Sequence, residues 1–216
     1  PLPVLERNVY VVPFRTPVVE KVKLDAATDG PIIAGSNIVI TGRALRGDVT
    51  KVNFGGSQLL PPIAASATET EIKVTLPADL RAGIQGLQVE QKFMMGTPPD
   101  EHSGFESNVA PFVLIPAITQ PAPPAFAQTS VDAVTHLISG KITVNFTPKV
   151  GKTQRVRLVL NEFHPLPAPS SRSYVINAPK DNGITGSPQE TDKIEFELKD
   201  VVAGDYLVRV QVDGAE

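Results

Sequence analysis

AGSNIVITGRALRG, from Ala34 to Gly47, followed by VTKVNF ending at Phe54, sets the architecture of this chain. A small residue and Gly lead into an alternating apolar run. A Gly loop flanked by basic residues follows, and a second alternating run closes the unit. Two neighbouring strands of a β-sandwich require that arrangement, because side chains on a strand point alternately to core and solvent. The pattern returns in the second half as SGKITVNFTPKVG, from Ser139 to Gly151, followed by RVRLVL ending at Leu160. A second correspondence joins LPADLRAGIQGLQV, Leu76 to Val89, with LKDVVAGDYLVRVQV, Leu198 to Val212. Each passes from a strand end through a turn to Gly and into another alternating strand. The chain therefore reads as two similar units, with Gly35 matched to Gly140 and Gly83 to Gly204.

Composition narrows the class. The 216 residues suit two immunoglobulin-like sandwiches of about 100 residues each, and 41% hydrophobic content supplies two modest cores. With 21 prolines and 16 glycines, the chain is interrupted too often for long helices, and no sustained 3.6-residue apolar period is present. The expected fold is all-β, two tandem immunoglobulin-like β-sandwich domains. A net charge of −3 with both signs interspersed offers no basic face for nucleic acid. No apolar stretch approaches the roughly 20 residues of a spanning helix, so no membrane partner is expected. Cysteine is absent, which removes disulfides, thiol chemistry and Cys-ligated zinc.

Residues 1–12 read as a linker or incoming edge strand, because VYVV is boxed in by prolines. Residues 13–116 form the first sandwich. Strands are expected at Val18 to Leu24, Asn37 to Gly42, Val49 to Phe54, Glu71 to Leu76, Ile84 to Gln91 and Asn108 to Ile115, with a short extra one at Ser57 to Leu60. Residues 117–216 form the second sandwich, with strands at Lys141 to Phe146, Arg155 to Phe163, Arg172 to Asn177, Lys193 to Leu198 and Tyr206 to Val212. PAITQPAPPAF, from Pro116 to Phe126, marks the boundary as a stiff spacer, or else Ala117 to Gln120 already begins the second unit as a Pro-containing edge strand. Between Phe93 and Ser107 the sequence reads as a long loop rich in Gly, Pro and charge. Loops of that kind carry contacts, so Phe93, Met94, Met95, Asp100, Glu101, His102 and Phe105 are the candidate contact residues.

A search for chemistry returns little. His102, His136 and His164 stand far apart and match no metal or phosphate motif. Glu101, His102 and Ser103 are consecutive, and consecutive residues do not converge as a catalytic triad does. Asp25 and Asp29 before Gly30, and Asp181 before Asn182 and Gly183, have calcium-type oxygens but are also ordinary turn residues, and the EF-hand spacing is missing. The NFT at Asn145 matches a glycosylation acceptor inside an expected strand. No catalytic, cofactor-binding or metal residue is assigned, no cofactor is expected, and the chain is read as non-enzymatic.

PVVEKV at Pro17, GSNIVITG, VNFGG ending at Gly56, ETEIKVTLP ending at Pro77 and GLQV ending at Val89 together resemble the IPT/TIG immunoglobulin-like domain. GRALRGDVTKVNFGG (Gly42 to Gly56), LRAGIQGLQV (Leu80 to Val89), MGTPPDEHSGFESNVAPFVLIP (Met95 to Pro116) and YLVRVQVDGAE (Tyr206 to Glu216) resemble the carboxy-terminal region of the tail-terminator or cap-type proteins of phage-tail-like contractile injection systems. That resemblance implies a bacterial structural protein whose partners are other subunits of the particle. It would reside in the cytoplasm during assembly and then in a released or cell-associated particle. The capping domain of that family precedes the region resembled, so the chain is expected to carry the appended sandwiches. The alternative is a carbohydrate- or cell-surface-binding adhesion module, which would show an aromatic platform; this chain has no Trp and three Tyr.

Tyr206 stands two residues after Gly204, where a tyrosine corner belongs and its hydroxyl would bond upstream backbone. YLVRVQV then reads as a penultimate strand, with DGAE as the turn toward the last. The edge at Leu207, Arg209 and Gln211 is accordingly expected to be open, paired with a neighbouring molecule, or covered by Pro1 to Val12.

Overall fold

The computed structural model describes residues 15–26, 30–55, 58–63, 66–119, 124–163 and 171–216. Its described residues are all-β apart from one 3-10 turn at Lys180–Gly183. Strands β1 (Val18–Leu24), β2 (Asn37–Arg43) and β5 (Glu71–Thr75) form one antiparallel sheet in the order β1-β2-β5. A facing sheet runs β4-β3-β6-β7, from β3 (Val49–Phe54), β4 (Gln58–Leu60), β6 (Gly83–Met95) and β7 (Asp100–Glu106), with β8 (Ala110–Leu114) also on β6. Alternation dictates the core between them. Ile38, Ile40, Ile72 and Val74 enter from one sheet, and Val52, Phe54, Leu87, Val89, Phe112 and Leu114 from the other. Phe54 meets Phe112 edge to face, ring centroids 6.2 Å apart.

The second half also forms two sheets around a core of its own. β9 (Ala117–Ile118), β10 (Ala125–Val131), β11 (Leu137–Gly151) and β14 (Glu190–Val202) make one sheet. β13 (Ser173–Asn177), β12 (Val156–Glu162) and β15 (Tyr206–Val212) make the other, in that order. Ile142, Val144, Phe146, Ile194 and Phe196 pack against Val156, Leu158, Leu160, Val210 and Val212.

Four features bear on the sequence expectations. At the boundary the edge-strand alternative holds in part, because Ala117 and Ile118 pair with Thr147 and Phe146 on β11. β10 was not foreseen; all its residues are exposed, and it is held by its ladder to β11 rather than by an apolar face. The glycine match at Gly35 and Gly140 does not hold. Gly35 lies in the turn before β2 with φ +73°, whereas Gly140 lies inside β11, where a Cβ would come 2.6 Å from the Phe126 ring. The fourth is the stretch between Phe93 and Ser107, which is mostly paired strand. β6 continues through Met95, a short turn at 96–99 follows, and β7 returns from Asp100.

Candidate contact site

Two ladders position the candidate contact residues. β3 pairs with β6 only as far as Lys92, so the Phe93 to Met95 segment and its partners Asp100 to His102 extend past the end of β3. Phe93 opposes His102, Met94 opposes Glu101, and Met95 opposes Asp100. A two-stranded tip needs further support to persist in water. Here the Phe93 and Phe105 rings meet edge to face at 5.7 Å, Lys51 reaches Glu101 at 2.8 Å, and the Met94 amide donates to Asp48 at 3.2 Å. The Lys51 ammonium holds the Glu101 carboxyl below its ordinary pKa, and the Glu90 carboxylate raises the Lys92 ammonium. Both Met side chains remain open to solvent, Met94 at 41% and Met95 at 53% exposure. The arm presents two soft, adaptable apolar groups framed by charge, a surface suited to a protein partner.

The other candidates separate. Glu101, His102 and Ser103 are successive residues of β7, so their side chains alternate between faces. Asp25 is paired with Lys73 at 3.0 Å, and Asp29 lies outside the described residues, as do His164 and residues 1–12. Asn182 is buried and donates to the Gly151 and Gln154 carbonyls at 2.8 and 2.9 Å, a turn lock next to Asp181. Asn145 lies in β11 opposite Lys193. Among the described residues no group of three or more His, Asp or Glu side chains is placed to hold a metal.

On β15 the burial alternates, with Val210 and Val212 facing the core and Leu207 and Arg209 facing solvent; Gln211 on the same outer face is half-buried. The Tyr206 hydroxyl donates to the Val202 carbonyl at 2.7 Å and its ring meets Tyr174 edge to face at 5.7 Å. Burial is the largest cause raising the Tyr206 phenol above its ordinary pKa, with Tyr174 adding to it.

The joint between the halves was not foreseen either. Ala82 belongs to the first half by sequence, yet its side chain is fully buried in the second core. The Ala82 amide donates to the Lys149 carbonyl at 3.2 Å, and Gln154 Nε2 donates to both the Ala82 carbonyl at 2.7 Å and Asp213 Oδ2 at 2.8 Å. Arg81 pairs with Glu190 at 2.7 Å. Gly83 follows with φ +109°, and Gln154, Asp213 and the Val212 carbonyl lie around the place a Cβ would take. Beside the joint lies an open cleft of about 710 Å³, lined by Asp79, Asn145, Lys149, Glu190 and Lys193 among others. Its one aromatic lining residue, Phe146, is buried in the core.

No curated protein and no solved structure matches the chain. A family described as a domain of unknown function, DUF8756, matches residues 116–216, so the second half, with its β15 edge, is the part of the chain that is similar to a known family.

Proposed function

We propose that this chain is a non-enzymatic, contact-making region of a phage-tail-like contractile injection particle, appended to a cap or terminator component and built from tandem immunoglobulin-like sandwiches of IPT/TIG kind. The observation that carries the contact role is the β6–β7 arm, which runs beyond its sheet and presents Met94 and Met95 to solvent. The particle itself rests on the sequence resemblance. The tyrosine corner at Tyr206 and the paired sheets around each core support the immunoglobulin-like reading. Two sandwiches docked through Ala82 would hold the arm at a fixed angle to whatever anchors the second half.

The test is a Met94→Ser, Met95→Ser double variant. Exposed positions of this kind change stability by less than about 0.5 kcal/mol, so the variant should melt like the parent. It should nevertheless be depleted from sheathed particles in co-sedimentation. Incorporation equal to the parent would remove the arm from the contact, and a parent protein that never enters the particle would remove the particle reading.

A further inference from the structure

We infer that the outer edge of β15 is an acceptor for one more antiparallel strand, and that its occupant is polypeptide continuing from the Asp213–Gly214 turn. Three observations converge on it. The first is the polarity of the ladder. The Phe163 amide donates to the Asp205 carbonyl and the Asp213 amide to the Arg155 carbonyl. Both pairs share the register of the β12–β15 ladder, in which Val156 opposes Val212 and Glu162 opposes Tyr206. Hydrogen-bonded pairs alternate with non-bonded ones in an antiparallel ladder. Odd-numbered residues of β15 therefore bond β12, and the amides and carbonyls of Tyr206, Val208 and Val210 point away from it. Among the described residues, β12 is the one strand hydrogen-bonded to β15.

The second observation is the turn. Asp213 has φ 49° and Gly214 φ 92°, the two positive values that a two-residue type I′ hairpin requires. Val212 and Ala215 exchange both backbone hydrogen bonds at 2.8 Å. The chain has thus already reversed and begun a ladder along the free edge, with the Ala215 side chain buried and Glu216 ion-paired to Arg209 on the outer face.

The third is that this edge is unguarded. Free edges are ordinarily protected by bulges, charge, proline or brevity. β1 has a bulge and Lys21 and Lys23, β14 is interrupted twice and strongly charged, and β10 has a bulge between Gln128 and Ser130. β4 spans three residues, and β5 and β13 five each. β15 has seven residues in continuous register, no proline and Arg209 as its one charge.

The register specifies the occupant. The first, third and fifth residues after Glu216 would bond Val210, Val208 and Tyr206 and face inward, so they should be apolar. The residues between them lie beside Leu207 and Arg209 and should be polar or acidic. Amide exchange by NMR on the 216-residue chain, and on the same chain carrying an appended Val-Thr-Val-Thr-Val tail, tests this. In the untailed chain the Tyr206, Val208 and Val210 amides should exchange at least about tenfold faster than those of Leu207, Arg209 and Gln211. The tail should bring all six to similar protection and raise the melting temperature, whereas a tail with Pro at its third position should do neither. Protection of Tyr206, Val208 and Val210 in the untailed monomer would mean that another segment covers the edge. Protection that rises with protein concentration would mean that a second copy covers it. Either result, or a tail without effect, overturns the inference.

Discussion

β6 and β15 are each bonded on one side by a neighbouring strand, β3 or β12. They differ on the other side. β6 carries β7 and β8 along its second edge, so Ala110, Phe112 and Leu114 close the first core. Among the described residues β15 has only the Val212–Ala215 bridge there, and Tyr206 and Val208 are packed against their core but half-open. Among the described residues, the first core is therefore closed along that edge by two strands and the second by a single residue pair.

The largest expected effect sets the two cores against each other. Phe54→Ala and Phe196→Ala each remove a fully buried ring, at a cost of about 3–5 kcal/mol. The less enclosed second core should tolerate this less well. Methyl NMR of Phe196→Ala should show lost dispersion in residues 125–212 while Ile38, Val52 and Leu87 keep theirs, and Phe54→Ala should leave a partly destabilised but folded first half. The reverse ranking would mean that the openness of the β15 edge matters little to the stability of its core.

A smaller effect probes whether the halves differ only in closure or also depend on each other. Gln154→Ala leaves the Ala82 carbonyl and Asp213 carboxylate without their shared donor, worth about 1–3 kcal/mol. Its signature should be a looser angle between the halves, read by small-angle scattering, with both cores intact. Unchanged scattering would assign the joint to Ala82 and the Arg81–Glu190 pair rather than to Gln154.

The smallest effect concerns the corner beside the open edge. Tyr206→Phe removes the hydrogen bond to Val202 and should cost about 1 kcal/mol in urea unfolding. The fold raises the phenol pKa, so this group's stabilisation is complete below the ordinary tyrosine pKa and is lost as pH rises through the raised value. The parent should therefore lose stability in that alkaline window more steeply than Tyr206→Phe. Parallel profiles would mean that the phenol titrates alike in folded and unfolded chains.

Much of the sheet core could be read from alternation, because Ile38 with Ile40, Val52 with Phe54, and Ile194 with Phe196 with Leu198 mark the buried face whatever their partners are. The arm was misjudged for a physical reason. Gly96 through Pro99 and the charged residues after them have loop composition, and Asp100 to Glu106 become a strand only by pairing with β6. β10 was hidden in the same way, since an exposed strand owes its shape to its ladder and leaves no apolar rhythm in the sequence. The joint left no signal either. Ala82 is an ordinary alanine until tertiary packing seats it in the second core.

That alanine also gives β6 a mechanical meaning. β6 is a single run of 13 residues from Gly83 to Met95, so at about 3.3 Å per residue one uninterrupted strand of roughly 40 Å links the joint to the arm's tip. A pull on Met95 travels along covalent bonds to Ala82, and the ladders to β3 and β8 meet it in shear, many bonds sharing the load at once. The strand is a tie-rod, and tension on the arm is shared with the first sandwich along its length on the way to the joint.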